Sequence, residues 1–525
     1  MTLNHQKIIE FFLDKNILLS HDIQEMLMKM DARQIESLLH KIDKHVSPNE
    51  FFVLDKHSLK EINEKDNQTE TLNCEINIDS SNIEMSCVKV TNSYDEKSIK
   101  REVSHFVQYF RQRFKAIEAL LSHRKELQGR MSISRLKVKK EKENVSVIGI
   151  VKDLGYTKNG NLMITLEDLT GFMNVLVSKS KGEEFYQFAK TVVLDEVIGV
   201  EGTINNGIIF VNNIIMPDIP LTKEFKKSPV EEYVAFIGDP HFGSKHFLTK
   251  EFNKLINWFN GKIGDEKQKE IASKIKYLII VGDLVDGVGT YPSQEEDLDI
   301  PSIYGQYEAF ADAMKKLPSH IQIIICPGNH DAMRISEPQP PIYKEFAKSL
   351  HEMKNVTLVS NPAMVNIGSV PGFSGFDVLL YHGYSFIYYA DNIEHIRMKG
   401  GIERADLVME CLLKKRHLAP SHTSTLYIPD TKRDPLIIEK IPDIFVTGHI
   451  HRTTAKNFNN ITLLNCSCWI GQTPYQEKVG LKPQPARLPL VNLKTREVKI
   501  LKFGKEQYTL EDNLRRGKES EDDEE

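Results

Sequence analysis

Five short apolar segments, each ending beside a glycine and a polar side chain that can bind a metal ion, constrain this chain more than any other sequence feature. YVAFIG leads to Asp239, YLIIVG to Asp283, and IQIIICPG to Asn329. VLLY leads to His382, and IFVTG leads to His449. Short apolar runs bounded by glycine are typical of buried strands, and side chains at the carboxyl ends of strands in an α/β sheet converge. The sequence therefore predicts an α/β domain with a polar site at one edge of its sheet.

The side chains at these segment ends form a mixed oxygen and nitrogen donor set without cysteine. Its seven members are Asp239, His241, Asp283, Asn329, His382, His449 and His451. Such a set suits manganese, iron or zinc better than calcium. Seven donors exceed what one tetrahedral ion needs, whereas two ions that share a carboxylate use all of them. One such histidine alone is usually a core or surface residue, but five such elements in strand-then-turn contexts favour a site with two metal ions, which serves displacement at phosphorus.

Changes in hydrophobic spacing and composition set the domain boundaries. Apolar residues at helical spacing over 1–56 predict a small N-terminal helical bundle, and the polar composition of 57–97 predicts a flexible linker. Residues 98–143 are predicted to form a basic amphipathic helix and connector. Short β-rich runs with one helix-like interruption over 144–219 predict an OB-fold barrel. The potential metal ligands fall in the last large domain, 220–505.

The barrel carries few aromatic side chains for stacking on bases. In or beside its predicted strands these are mainly Phe172 and Phe210. Because single-strand binding by such barrels depends on aromatic stacking, a scaffold role is favoured for this domain.

Net charge says little about the partners of this chain. The formal net charge is −5, and residues 511–525, with eight acidic and three basic residues, carry all of it. We therefore predict an acidic disordered tail over 506–525. Residues 110–143 contain 11 Lys or Arg and 4 Asp or Glu, a charge of +7, which fits either a solvated helix face or a stripe that contacts phosphates.

The remaining composition predicts a cytoplasmic location. No apolar run approaches the roughly 18 residues of a membrane span. Six scattered cysteines indicate a reducing compartment rather than a disulfide framework. Among them, Cys466 and Cys468 are predicted to be small packing residues.

The order and spacing of the metal-binding blocks resemble the signature of the calcineurin-like metallophosphoesterase superfamily. The blocks are Asp239-x-His241, Gly282-Asp283, Gly328-Asn329-His330-Asp331, His382-Gly383 and Gly448-His449-x-His451. The OB-like domain, the helix FVQYFRQRFKAIEALL and the run RHLAPSHTSTLYIPDTKRDPLIIEKIPDIFVTGHIH are similar to those of the small subunits of archaeal D-family DNA polymerases, in the polymerase B-subunit family. The resemblance implies a multidomain α+β fold, in which an OB-fold β-barrel precedes a calcineurin-like αββα metallophosphoesterase sandwich.

The resemblance also implies roles for individual residues. One ion would be held by Asp239, His241, Asp283 and His451, and the other by Asp283, Asn329, His382 and His449. Manganese is expected, with iron, zinc or magnesium as alternatives. As catalytic residues, His330 would stabilise the transition state or protonate the departing 3′-oxygen, and Asp331 would orient and charge its imidazole.

The implied activity is that of a metal-dependent 3′–5′ exonuclease, which removes mismatched or single-stranded 3′ ends of DNA beside the large catalytic subunit of a replicative DNA polymerase. Two alternatives stay open, a non-catalytic scaffold subunit and a stand-alone metallophosphoesterase or repair nuclease. The insertion between Gly383 and His449 either shapes substrate access or docks the partner. Its His417 and His422 are predicted not to bind metal, and Asp286 is either an additional site carboxylate or a turn residue.

Overall fold

The fold is taken from a computed structural model that describes residues 17–19, 52–54, 88–95, 99–139, 142–478 and 480–505. The chain divides into two compact units, Met1–Glu84 and Met85–Glu525. In the first unit, β1 (Ile17–Leu19) pairs in parallel with β2 (Phe52–Leu54), which the helical spacing there does not predict. The helices predicted over 1–56, most of the predicted linker and the predicted tail lie outside the described residues.

The second unit contains a series of strands and helices that begins inside the predicted linker. In chain order they are β3 (Lys89–Ser93), α1 (Val103–Leu121), α2 (Ile133–Lys137), β4 (Glu143–Tyr156), β5 (Leu162–Asp168), β6 (Gly171–Val177), α3 (Glu183–Ala189), β7 (Val197–Asn205), β8 (Ile208–Ile215), β9 (Tyr233–Ile237), α4 (Thr249–Phe259), α5 (Glu266–Ser273), β10 (Ile275–Val281), α6 (Ile303–Lys315), β11 (Gln322–Cys326), α7 (Lys348–Glu352), β12 (Val356–Leu358), β13 (Ala363–Ile367), β14 (Phe376–Leu380), α8 (Phe386–Asn392), α9 (Glu394–Met398), α10 (Ala405–Lys415), β15 (Ile444–Thr447), β16 (Thr454–Phe458), β17 (Ile461–Asn465), α11 (Pro474–Lys478), β18 (Arg487–Asn492) and β19 (Val498–Lys502). Short 3₁₀ turns lie at Lys125–Leu127, Lys179–Lys181, Gln294–Asp297 and Gly401–Glu403. In the described part of the chain, no helix has the length and apolar character to cross a bilayer.

The predicted barrel is confirmed. Strands β4 to β8 close in the order β4-β5-β6-β8-β7, and α3 lies between β6 and β7, where the sequence predicts a helix. Alternation fixes which side chains fill the barrel: Leu162, Ile164 and Leu166 of β5 are all buried, with less buried residues between them. The barrel is thus a filled core with an outer face available for contacts.

Two six-stranded mixed sheets form the larger domain. One has the order β12-β11-β10-β9-β18-β19, with β9 to β12 parallel. The other has the order β16-β17-β15-β14-β13-β3, with β14, β15 and β17 parallel. Their central strands are mostly apolar, and β9 (YVAFI) is buried at every position, as expected for strands covered on both faces.

The hydrophobic clusters show how these sheets are layered. One cluster joins side chains of both sheets, including Phe236 of β9 and Phe376 of β14, so the sheets stack face to face. A second packs α4 and α6 on the first sheet, and a third packs α8 and α10 on the second. The result is four layers, helices, sheet, sheet and helices. The carboxyl ends of the central parallel strands of both sheets lead into the potential metal ligands.

The prediction of a flexible linker over 57–97 is wrong near its C-terminal end. Lys89–Ser93 form β3, which pairs antiparallel with β13 at the edge of the second sheet. The Thr91 hydroxyl donates to the carbonyl of Met364, and Tyr94 is buried. The polar composition conceals this strand because an edge strand gains its stability from backbone pairing and needs few apolar residues.

Helix α1 is anchored to the barrel and to the insertion by a buried ion pair. Arg113 is 2% exposed, and its Nε lies 2.7 Å from Oδ2 of Asp434 in the insertion. The hydroxyl of Tyr109 donates to the other carboxylate oxygen, and Nε2 of His417 lies 2.8 Å from Oδ2. Arg113 also reaches the backbone carbonyl of Asp195 beside the barrel. One arginine counted in the predicted basic stripe is therefore unavailable to phosphates, and the insertion docks a helix of its own chain.

We expect Arg113→Ala to destabilise the second unit by about 3–5 kcal/mol, because it leaves the carboxylate of Asp434 buried without its partner. Urea unfolding followed by tryptophan fluorescence measures the change in free energy. Arg111→Ala is the matched control, since Arg111 lies on the exposed side of the same helix and its loss is expected to change little. Equal effects of the two substitutions would contradict the assigned anchor.

Candidate metal centre

The predicted ligands gather at the strand ends of the larger domain. Asp239, Asp283 and Asn329 follow β9, β10 and β11 of one sheet, whereas His382 and His449 follow β14 and β15 of the other. Potential ligand atoms form three groups, each within 4.8 Å. The groups are Asp239, His241 and His451; His241, Asp283 and His330; and Asp283, His382 and His449. Asn329 joins them through its Oδ1, 3.0 Å from Nε2 of His382. The structure thus brings together all seven residues that the sequence proposes.

Asp283 lies at the centre of this arrangement. Its Oδ2 is 3.2 Å from Nε2 of His382 and 3.8 Å from Nε2 of His241. On one side, Nε2 of His451 lies 3.2 Å from Nε2 of His241 and 3.5 Å from Oδ1 of Asp239. Asp283 shares one group of potential ligands with His241 and another with His382 and His449. This is the position that a bridging ligand requires.

The backbone is strained at the ligands themselves. Asp239, His241, Asp283, His449 and His451 all have φ between 49° and 67°, in the left-handed region. A backbone conformation of this kind costs on the order of 1–3 kcal/mol per residue and persists only where the surroundings impose it. Such strain concentrates at functional sites. The surroundings here include backbone amides: His449 donates to the carboxylate of Asp239, and His330 donates to that of Asp283. The strain turns ligand side chains toward a common point.

Gly448, immediately before His449, is required by close packing. A Cβ at this position would lie 2.6 Å from Oδ2 of Asp239 and 2.8 Å from the carbonyl oxygen of Val281. No side chain can be accommodated without displacing a potential ligand, which explains a glycine beside this block.

The buried groups of the site shift one another's pKa values. Burial raises the pKa of the Asp283 carboxyl, but positive charge on His382 and His330 outweighs burial and lowers the pKa well below its usual value. Burial alone lowers the pKa of His382, but the carboxylate of Asp283 raises it to about 10. Burial, followed by the charge of His382, lowers the pKa of His449 to about 3. Without metal, Asp283 is therefore an ionised carboxylate and His449 a neutral histidine, whereas His382 carries a proton that it must release before it can bind an ion.

One buried nitrogen tests whether the residues fit a metal ion. Nε2 of His449 is buried and has no hydrogen-bond partner among the described residues. A neutral imidazole nitrogen left unpaired in a buried site is costly unless a ligand completes it. Together with the mixed oxygen and nitrogen donors, this atom fits a borderline divalent ion.

Neighbouring groups fix the orientation of the histidine rings, an arrangement common around metal ligands. Nδ1 of His382 donates to the carbonyl of Val281, which leaves Nε2 directed toward Asp283. Nε2 of Gln476 lies 2.8 Å from Nδ1 of His451 and holds that ring. Gln476 lies outside every motif in the sequence, so only the fold reveals its role.

The predicted role of Asp331 is wrong. Its carboxylate accepts hydrogen bonds from the backbone amides of Gly328 and Leu284 and from the hydroxyl of Tyr307, and none from the imidazole of His330. Burial, followed by the charge of Asp283, raises the pKa of Asp331 to about 7. Adjacent residues in a tight turn point apart, so Asp331 secures the loop instead of orienting its neighbour.

Asp286 makes the contact with the His330 imidazole that Asp331 does not make. Nδ1 of His330 donates to the backbone carbonyl of Asp286 over 2.7 Å. The Asp286 carboxylate lies 3.4 Å from Nδ1 of His241, although it belongs to none of the three ligand groups. The backbone carbonyl of Asp286 thus orients the ring of His330, and its carboxylate lies beside His241 without a hydrogen bond to it.

The remaining candidates lie apart from the ligand groups found in the described residues. His417 pairs with Asp434, and His422 pairs with Asp195. Cys466 and Cys468 are fully buried, and Cys466 packs between the sheets. A cleft of about 370 Å³ opens over the potential ligands.

Comparison with known proteins identifies the class to which this fold and site belong. The family of B subunits of DNA polymerases alpha and epsilon matches residues 234–456, and the OB-fold nucleic acid binding domain matches residues 145–212. The chain is thus similar to the B subunits of DNA polymerases and contains an OB fold. Among solved structures, an archaeal phosphodiesterase aligns over 51% of this chain and 98% of its own, with 14% identity and a TM-score of 0.24, too low to bear on function.

Curated relatives identify the particular family. The DNA polymerase II small subunit of Methanothermobacter thermautotrophicus is 37% identical over 402 residues, which are 77% of this chain and 80% of that protein. Its counterpart from Pyrococcus furiosus is 37% identical over 80% of this chain and 67% of its own length. The counterpart from Archaeoglobus fulgidus is 36% identical over 77% of this chain and 79% of its own length. The chain belongs to the family of archaeal DNA polymerase II small subunits.

Proposed function

We propose that residues 220–505 form a calcineurin-like metallophosphoesterase domain and that the chain is a metal-dependent 3′–5′ DNA exonuclease. The observation that carries the proposal is the overlap of three ligand groups at His241 and Asp283. Overlapping groups with a shared carboxylate suit two divalent ions about 3.5–4 Å apart, the spacing used for in-line displacement at phosphorus.

The chain's own residues divide the work between binding and positioning. Asp239, His241, Asp283 and His451 would hold one ion, and Asp283, Asn329, His382 and His449 the other. Ions bound there, manganese in the first instance, supply Lewis-acid polarisation of the phosphodiester and a water acidic enough to attack phosphorus. Backbone amides already hold the Asp239 and Asp283 carboxylates in place, so little reorganisation accompanies binding.

His330 is the residue placed to transfer a proton. It lines the cleft, and its ring centroid is 4.7 Å from that of His241. Because Nδ1 donates to the carbonyl of Asp286, Nε2 is the atom available to give a proton to the departing 3′-oxygen.

The family supports a partner and a substrate for this site. A small subunit acts beside the large catalytic subunit of the polymerase, which supplies the primer ends, and DNA with single-stranded or mismatched 3′ ends is the substrate we propose. A purely scaffolding subunit has no use for a complete donor set with a bridging carboxylate. A stand-alone phosphoesterase has no use for the barrel and α1. Absence of a polymerase-sized protein in co-purification from the native source would contradict the partner.

We expect EDTA to abolish shortening of a 5′-labelled oligonucleotide from its 3′ end, and added manganese to restore it. The assay uses the full chain, alone and with its co-purified partner, on single-stranded, paired and 3′-mismatched substrates. p-Nitrophenyl phosphate is the parallel substrate. No cleavage with manganese, iron, zinc or magnesium would favour a scaffold. Hydrolysis of p-nitrophenyl phosphate without cleavage of DNA would favour a stand-alone phosphoesterase.

A further inference from the structure

The cleft over the potential ligands has an apolar wall beside His449, which the metal chemistry does not use. Three residues of the helical insertion after β14 line it: Tyr384, Ile387 and Ile402. The ring of Tyr384 lies 5.6 Å from that of His449, centroid to centroid, so the wall begins beside a ligand. Ile387 is 43% exposed, so its side chain is accessible to a molecule that enters the cleft.

Cationic side chains lie on the rim of the same cleft. Arg452 directly follows His451, and its Nη1 lies 3.1 Å from Oε1 of Glu403 and 3.0 Å from the carbonyl of Lys482. Lys482 also lines the cleft. Because Asp297 and Glu403 line the cleft as well, an anionic group would be held by the proposed metal ions more than by the rim. The ligand that matches this cleft has an apolar planar part for the wall and an anionic part for the proposed metal ligands.

We propose that the wall of Tyr384, Ile387 and Ile402 receives the base of the terminal nucleotide, with the Tyr384 ring stacked on it, while the adjoining phosphodiester lies at the metal ligands. This rests on the proposed exonuclease function and names its substrate class, a DNA end whose last base is unpaired. A nucleotide supplies both parts that the cleft matches. Phosphoserine and phosphothreonine supply no planar group, and phosphotyrosine is a monoester without the adjoining phosphodiester of a DNA end.

The size of the cleft explains why the base must be unpaired. A volume of about 370 Å³ lies near the lower end of the roughly 300–1,000 Å³ typical of small-ligand pockets. One nucleotide fits such a space, whereas a base pair brings a second strand for which the cleft has no room. A mismatched or single-stranded end frees its last base at less cost than a paired end. The wall thus couples cleavage to the loss of pairing.

Tyr384→Ala tests the stacking. Base stacking on an aromatic ring corresponds to roughly a 5- to 150-fold change, so the rate on single-stranded DNA is expected to fall by such a factor relative to the rate on bis(p-nitrophenyl) phosphate. Tyr384→Phe keeps the ring and is expected to retain the wild-type ratio of the two rates. Tyr388→Ala is the matched control, because Tyr388 lies in α8, the helix that begins two residues after Tyr384, and is not one of the residues that line the cleft. Its ratio is expected to match that of the wild type.

A substrate without its terminal base completes the test. We expect the wild type to cleave an oligonucleotide with an abasic last position slowly, and Tyr384→Ala to slow it no further, because the partner of the ring is already absent. Circular dichroism and metal content check that each variant is folded. If wild-type protein hydrolyses both DNA and the small diester while Tyr384→Ala leaves their ratio unchanged, the base pocket is wrong and the exonuclease stands. If the wild type hydrolyses neither, both fail together.

Discussion

Replacing His330 by alanine is expected to lower the exonuclease rate by about 10²- to 10⁴-fold, the range typical of a positioned general acid. Metal content is expected to stay close to that of the wild type. The reason is geometric: Nδ1 is committed to the carbonyl of Asp286, and the seven other donors suffice for two ions without this imidazole. Single-turnover cleavage of a mismatched primer measures the rate, and elemental analysis measures the metal.

Two results would contradict this role. His330 also lies in a potential ligand group with His241 and Asp283, so loss of one ion together with activity would make it a ligand instead of an acid. Full activity would exclude both roles. His422→Ala is the matched control, because this histidine pairs with Asp195 outside the ligand groups and its loss is expected to leave the rate unchanged.

The candidate metal site is predictable from the sequence because its signal is local. The proposed ligands lie within a few residues of the ends of short apolar strands, and parallel strands of one sheet place their carboxyl ends at one edge. The sequence shows Asp283 after YLIIVG without reference to any distant residue. The barrel is predictable for the same reason, since β5 and β6 each alternate buried and less buried residues between turns.

Features that depend on distant partners are not predictable in this way. Arg113 belongs to an apparently exposed basic run, yet it is buried by Asp434, 321 residues further along the chain. β3 has no apolar pattern and exists because β13 offers it a sheet edge. Asp331 is next to His330 in sequence, but the turn sends its carboxylate to Gly328 and Tyr307. In each case the decisive contact is set by the fold and leaves no mark in the local sequence.

Asp283→Asn is expected to remove activity and metal together, which separates a bridging ligand from a catalytic acid. Oδ2 of the ionised carboxylate lies 3.8 Å from Nε2 of His241 and 3.2 Å from Nε2 of His382, one residue of each proposed ion site, so removing its charge weakens both sites at once. We expect the loss of at least one ion per chain. Because metal ions contribute several kcal/mol of transition-state charge stabilisation, the rate is expected to fall on the order of 10³-fold or more.

Asparagine is the informative replacement at this position because it retains an oxygen to accept the hydrogen bond from the backbone amide of His330. The fold is therefore expected to survive, as thermal unfolding without metal can show. Asp312→Asn provides the control, since Asp312 pairs with Lys315 on the surface of α6 and its variant is expected to keep both ions and the full rate. If Asp283→Asn keeps both ions, Asp283 does not bridge, and the overlap of ligand groups at this residue no longer supports a dinuclear site.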